Sequence, residues 1–276
     1  MFKANILADS LHPNGSRLVT MELTYPRCIH SEFMTHRQFS RNAASSRAIP
    51  VKRMLEDIQT NPFIPLVWGL NQKGMQAAEE HQHPDTCKTE WLRARDAALH
   101  HAKALNGYGL HKQIVNRILE PWMWITVICT GVDHAWENFF KLRCDPYAEP
   151  HIQHIAYMIR KIYDDATPKL LYVGEHHLPL YGFPGDEKLN PEEAKQVSVA
   201  RCARVSYLTH AGIRDVEADI TLYKRIEGPG HWSPFEHVAY PVNDKSGTSN
   251  FGPHWSQFRK QFQGEYCKNA PRGTHG

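Results

Sequence analysis

What the chain lacks narrows the field before any motif is read. It has no Cys-x-x-Cys pair: Cys28, Cys87, Cys129, Cys144, Cys202 and Cys267 are scattered through 276 residues. A disulfide framework is therefore not expected, and the thiols read as reduced. No apolar run approaches the roughly 20 residues that cross a bilayer. The longest lies around Trp122 to Val132, and the N-terminus lacks a basic-then-apolar leader pattern, so a cytoplasmic protein with no membrane partner is expected. Excess charge is also missing, because 32 Lys+Arg face 29 Asp+Glu for a formal +3. No global field or basic aromatic stripe calls for nucleic acid, and any anion site must be local. Low complexity is absent: 41 % hydrophobic and 22 % charged residues with 18 Pro and 17 Gly describe a folded chain of one large or two modest domains.

What is there is a series of periodic segments. Leu18 to Tyr25 alternates in period two, as a half-buried strand does. Trp91, Ala94, Ala98, Ala102 and Leu105 recur at helical spacing, and Ile114 and Ile118 continue that pattern beyond an Asn106-Gly107 break. Val132, Ala135, Trp136, Phe139 and Phe140 mark a helix ending near Arg143, and Ile152, Ile155, Ala156, Ile159, Ile162 and Tyr163 form the cleanest helical stripe. Residues 168–191, with four prolines, read as a long connection and a candidate internal boundary. Helices are expected at Glu192–Arg201 and Ile220–Ile226, and short strands at Val205–Leu208 and through Val238, Tyr240 and Val242. Residues 1–268 are taken as one α+β domain and 269–276 as a loose tail.

Three segments could carry chemistry. The first runs from His36-Arg37 through Arg41 to Ser45-Ser46-Arg47. Guanidinium forks and a Ser-Ser turn match phosphate oxygens, and the same residues read equally well as a basic, solvated loop. The second, Gly230 to His237 (GHWSPFEH), sets an aromatic wedge between two imidazoles and a carboxylate; it could clamp a flat ring or simply pack the core. The third, Asn138 to Arg143 (NFFKLR), places Arg143 at a helix end, where a plain cap is the simpler reading. The adjacent histidine pairs, such as His81 and His83 or His176 and His177, join no thiols or carboxylates at a ligand spacing, so no metal is expected. Neither Cys28 nor Cys144, each preceded by an arginine, has an evident base, and a nucleophilic role is not expected.

Taken together, these segments resemble the flavin-dependent thymidylate synthases, the ThyX family. That family carries an RHR-x7-S motif, matched here from Thr35-His36-Arg37 to Ser45 in all but the first residue. It also carries ARVSY (Ala203–Tyr207), a GHxSPFEH stretch (230–237), NFxxLR (138–143) and an R-x-L-x-P segment (Arg117–Pro121). The order differs from the family's, where ARVSY and SPFEH come first, so the chain resembles a circular permutant. Permutation requires Val242 and the Leu18 strand to be neighbours in space.

The resemblance implies an antiparallel sheet flanked by helices, a homotetramer with sites between subunits, and reductive methylation of dUMP to dTMP using FAD, NADPH and methylenetetrahydrofolate. It implies that His36, Arg37, His237 and Asn138 contact the flavin and that Ser45, Ser46, Arg47 and Arg117 hold the nucleotide. Arg143 would bind the pyrimidine edge and act in catalysis. Departures fall at Thr35 (family Arg), Glu32 (family Gln), Ala43 (family Glu) and Val132-Asp133-His134 (family Asn-x-Arg). They keep open a sibling that methylates or hydroxymethylates dUMP or dCMP, and a non-catalytic nucleotide-binding paralogue.

Overall fold

The computed structural model describes residues 1–77, 79–205, 215–243 and 250–262. The chain opens as a hairpin of β1 (Lys3–Leu11) and β2 (Arg17–Pro26), turned at His12–Ser16, where Gly15 adopts φ +89°, a backbone region that side chains disfavour. β2 pairs antiparallel along its length with β4 (Trp124–Val132), whose outer edge takes β3 (Ser40–Ala43). The two-residue β5 (Lys169–Leu170) adds to β1 in parallel, giving the order β3-β4-β2-β1-β5. β4 is the long apolar run of the sequence. It is an interior strand covered on both faces, which is why it reads as nearly continuous hydrophobicity rather than alternation.

Each face has its own cover. Val19, Met21, Leu23, Tyr25, Ile125, Val127 and Cys129 pack on α5 (Asp133–Arg143) and α6 (Pro150–Asp165), whose Trp136, Phe139, Ile152, Ile155 and Ile159 are fully buried. Each such side chain contributes about 1.5–3 kcal/mol of burial. The opposite face carries Thr20, Thr130 and Ile128. Ile128 packs on Leu180, and on Cys202 and Val205 at the end of α7 (Pro191–Arg204). A second core joins α2 (Val51–Thr60), α3 (Pro84–Gly107) and α4 (Lys112–Val115). The fold is α+β, a largely antiparallel sheet flanked by helices. No helix among the described residues is long and apolar enough to cross a membrane.

Two elements depart from the sequence expectation. Ile114 and Ile118 are exposed, and Val115, Leu119 and Trp122 face the core instead. The cause is that α4 passes into a 3-10 segment at Asn116–Trp122, where side chains three apart align, so the helical count slips. Ala203 and Arg204 belong to α7, and Val205 is its C-cap rather than the start of a strand. Residues 206–208 of that expected strand lie outside the described residues, as do Cys267 and the 269–276 tail.

The 168–191 connection is fastened rather than loose. His177 exchanges backbone hydrogen bonds with Ala239, and Leu171 N–H donates to Leu11 O. The Leu180 carbonyl, on a residue at φ 57°, accepts from Arg201 Nη1 at 2.9 Å. Arg201 is buried in α7 and also binds Asp186 and Asp219; Asp219 lies on α8 (Val216–Glu227) and holds Arg204 as well. Late in the described residues a two-stranded sheet forms, β6 (Ala239–Pro241) with β7 (Trp255–Gln257). Val242 N–H donates to His254 O, His254 stacks on His12 at 5.0 Å, and Trp255 Nε1 donates to Ser16 O. The segment ending at Val242 thus meets the turn that leads into β2.

Candidate functional site

Between β2 and β3 the chain turns back beneath α5 through α1 (His30–Phe33) and residues Met34–Phe39. Two aromatic anchors seat this turn: Phe33 stacks on Phe39 at 5.9 Å, and both pack edge-on to Phe139. Arg41, projecting from β3, donates to the carbonyls of Met34 and His36 at 3.0 Å each. Gly131 makes room for the arrangement, since a Cβ there would lie 2.5 Å from Phe39 Cδ1.

The turn delivers His36 to the end of α5. Arg143 Nε donates to His36 Nε2 at 2.9 Å, and Arg143 Nη2 donates to Thr35 Oγ1 at 3.3 Å. An arginine only donates, so His36 Nε2 is an acceptor and the imidazole is neutral with its proton on Nδ1. Burial, Arg143 and Arg41 push its pKa down to about 4, in agreement with that tautomer. Thr35, His36, Arg37, Asn138 and Arg143 all line one cavity of about 410 Å³, whose walls also include Gln38, Phe39, His134 and Leu142. Arg37 is exposed there and has no ion-pair partner among the described residues.

Ser45, Ser46, Arg47 and Arg117 form a second group. Asn116 Nδ2 donates to the carbonyls of Ser46 and Ile49, and Ser46 Oγ donates to Glu120 Oε1 at 2.6 Å. Glu120 also lies 3.5 Å from Arg117 and 3.8 Å from Arg27. Arg47 is exposed and unpaired among the described residues. No shared cavity or hydrogen bond joins this group to Arg143 among the described residues of a single chain.

His237 does not join the first group either. It is fully buried on the sheet face opposite α5, with Nδ1 2.8 Å from Thr130 Oγ1. The chain of contacts continues from Thr130 to Thr20 and through His177 to Ser10, each link 2.7–2.8 Å. His237 Nε2 has no hydrogen-bond partner among the described residues. The GHWSPFEH stretch therefore packs as a corner, Phe235 buried against Tyr223 and Phe258, with Glu236 paired to Arg259.

A family model described as thymidylate synthase complementing protein matches residues 17–169, more than half the chain. The chain belongs to that family. No curated protein matches it. Among solved structures, a UMP/dUMP methylase PolB from Streptomyces cacaoi bound with 5-Br UMP superposes with a TM-score of 0.50 at 14 % identity, covering 60 % of this chain and 89 % of that one. The same methylase bound with 5-Br dUMP gives a TM-score of 0.43 at 17 % identity, over 54 % of this chain and 66 % of that one. The first of these likenesses shows a shared fold.

Measured against the thymidylate synthase complementing pattern, the structure gives the departures physical content. Thr35 is the acceptor for Arg143 Nη2, and its hydroxyl also donates to Glu32 O at 2.6 Å. Asp133 and His134 start α5 beside the cavity, His134 on its wall. Sequence reasoning did not give Arg41 its clamp role or Glu120 its link to Ser46. Both residues stand inside segments already marked, but the contacts that define them are long-range, Glu120 reaching Ser46 across 74 positions.

Proposed function

We propose that the chain is a nucleotide-modifying transferase that adds a one-carbon unit at C5 of a pyrimidine deoxynucleoside monophosphate. In the family's pattern this is reductive methylation of dUMP to dTMP with FAD, NADPH and methylenetetrahydrofolate. The observation that carries the reading is Arg143, held by His36 and Thr35 on the wall of a cavity that also takes Arg37 and Asn138. Such a guanidinium can donate to O2 and N3 of a pyrimidine ring and stabilise the ring after loss of its N3 proton, which makes C5 more nucleophilic.

The residues fit a flavin in kind. Arg37 offers an unpaired cation to a phosphate, Asn138 an amide to a ring edge, and about 410 Å³ suits a ring system better than a whole dinucleotide. When bound, a flavin supplies the redox step that the side chains cannot. A neutral His36 keeps Arg143 oriented without adding a charge beside it. The separation of Ser45, Ser46, Arg47 and Arg117 from Arg143 supports the tetramer, in which a neighbouring subunit would bring the phosphate-holding group to the ring-holding one. His237, enclosed on the far face, would reach a flavin only if its unpartnered Nε2 were uncovered in that assembly. The contact of Val242 with the turn before β2 supports the permuted order.

The test incubates the protein with FAD, NADPH, methylenetetrahydrofolate and dUMP or dCMP, and weighs the product. Arg143→Ala removes a half-exposed side chain and should abolish product with an unchanged melting temperature. Undiminished product from that variant would refute the assignment.

A further inference from the structure

A second cavity, of about 770 Å³, lies on the other side of Arg143. It shares Leu142 and Arg143 with the first, and its walls include Glu32, Tyr147, Glu149 and His151. Most of its polar groups are already engaged. Glu149 caps α6 by accepting from the His151 and Ile152 amides and pairs with the His151 ring, while His151 Nε2 accepts from Leu66 N–H at 2.9 Å. Glu32 is different. Its Oε2 is buried with no hydrogen-bond partner, and no carboxylate lies within ion-pair distance of Arg143 among the described residues. Arg143 uses Nε on His36 and one N–H of Nη2 on Thr35, which leaves three N–H donors free. Glu32, a carboxylate with no ion-pair partner among the described residues, and a fork with donors to spare thus line the same cavity without pairing.

We infer that Glu32 and Arg143 together read the pairing edge of the base, and that they favour a pyrimidine carrying an amino group at C4, a cytosine nucleotide, over a uracil one. The inference rests on the reading of Arg143 given above and names the substrate within it. A cytosine edge presents O2 and N3 as acceptors and the C4 amino group as a donor. Two guanidinium N–H groups match the acceptors, and a carboxylate matches the amino group. A uracil edge presents O2, an N3–H donor and O4. Its N3–H opposes the guanidinium until that proton is lost, and its O4 opposes the carboxylate. A glutamine at position 32 could turn its amide to donate to O4; a glutamate cannot, so this one residue separates the two bases.

The test measures dissociation constants for dCMP and dUMP on the full chain in saturating FAD, for the natural protein and for Glu32→Gln, with melting curves as a folding control. The expected result is dCMP bound at least about tenfold more tightly than dUMP by the natural protein, as suits a hydrogen bond to a charged group, with the ratio falling to near one or inverting in Glu32→Gln. Tighter binding of dUMP by the natural protein, or a ratio that a folded Glu32→Gln leaves unchanged, overturns the inference and leaves the broader pyrimidine reading standing. If neither nucleotide binds, both fall. The ratio in the natural protein decides the matter even if the variant does not fold.

Discussion

Acid should weaken this fold steeply, and two fully buried histidines carry a large share of the slope. His177 and His237 are fully buried, and desolvation pushes each pKa from 6.5 down to about 3, the neighbouring His237 adding to the effect on His177. Below about pH 6.5 the unfolded chain binds two protons that the folded chain refuses until about pH 3, so stability is fully present above 6.5 and is lost as pH falls through that window. Each pH unit costs about 1.4 kcal/mol per histidine, which at about pH 5 amounts to roughly 2 kcal/mol each and 4 together. That is a large fraction of the 5–15 kcal/mol typical of a domain. His30 and His36, each lowered to about 4, act in the same direction. The assay is urea unfolding followed by fluorescence between about pH 7.5 and 5. The midpoint should fall continuously, and a His237→Gln protein that still folds should show a shallower dependence. A flat profile would mean that the Thr130–Thr20–His177 chain accommodates charge and that these imidazoles are not sealed from water.

Three further outcomes follow from packing and electrostatics. Gly131→Ala drives a Cβ to 2.5 Å from the buried Phe39 ring, so it should lower stability by about 1–3 kcal/mol and loosen the cavity that Phe39 lines; an unchanged melting temperature would show that the ring moves freely. Asp219→Ala leaves Arg201 and Arg204 without their shared carboxylate inside the protein, and the urea midpoint should report a loss of about 3–5 kcal/mol, whereas a loss under about 1 kcal/mol would place those guanidinium groups in water. Cys28 is exposed, yet desolvation, Glu149 and Glu32 push its thiol up to about 11. Iodoacetamide at neutral pH should therefore label it slowly; rapid single-site labelling there would contradict the desolvation argument.

The parts of this fold that could be read in advance are those whose periodicity is local. The α6 stripe, the alternation of β2 and the aromatic spacing of α5 each follow from one element meeting one core face. The slips occur where a distant contact overrides local pattern. Ala203 to Val205 alternates like a strand, but α7 is carried through it by Arg201 and Arg204 reaching Asp219 on another helix. The GHWSPFEH stretch was recognisable as a motif, yet a motif carries no information about which face of the sheet its last imidazole will occupy.

Thr35 makes the same point about the candidate site. In the sequence it reads as a missing arginine, a loss of one cation from an RHR run. In the structure its hydroxyl takes a hydrogen bond from Arg143 and hands its own proton to Glu32 O, so it orients the guanidinium between the two cavities. The threonine is better understood as the hydroxyl that orients Arg143 beside a neutral His36, on the wall of the cavity that Arg143 shares with Glu32.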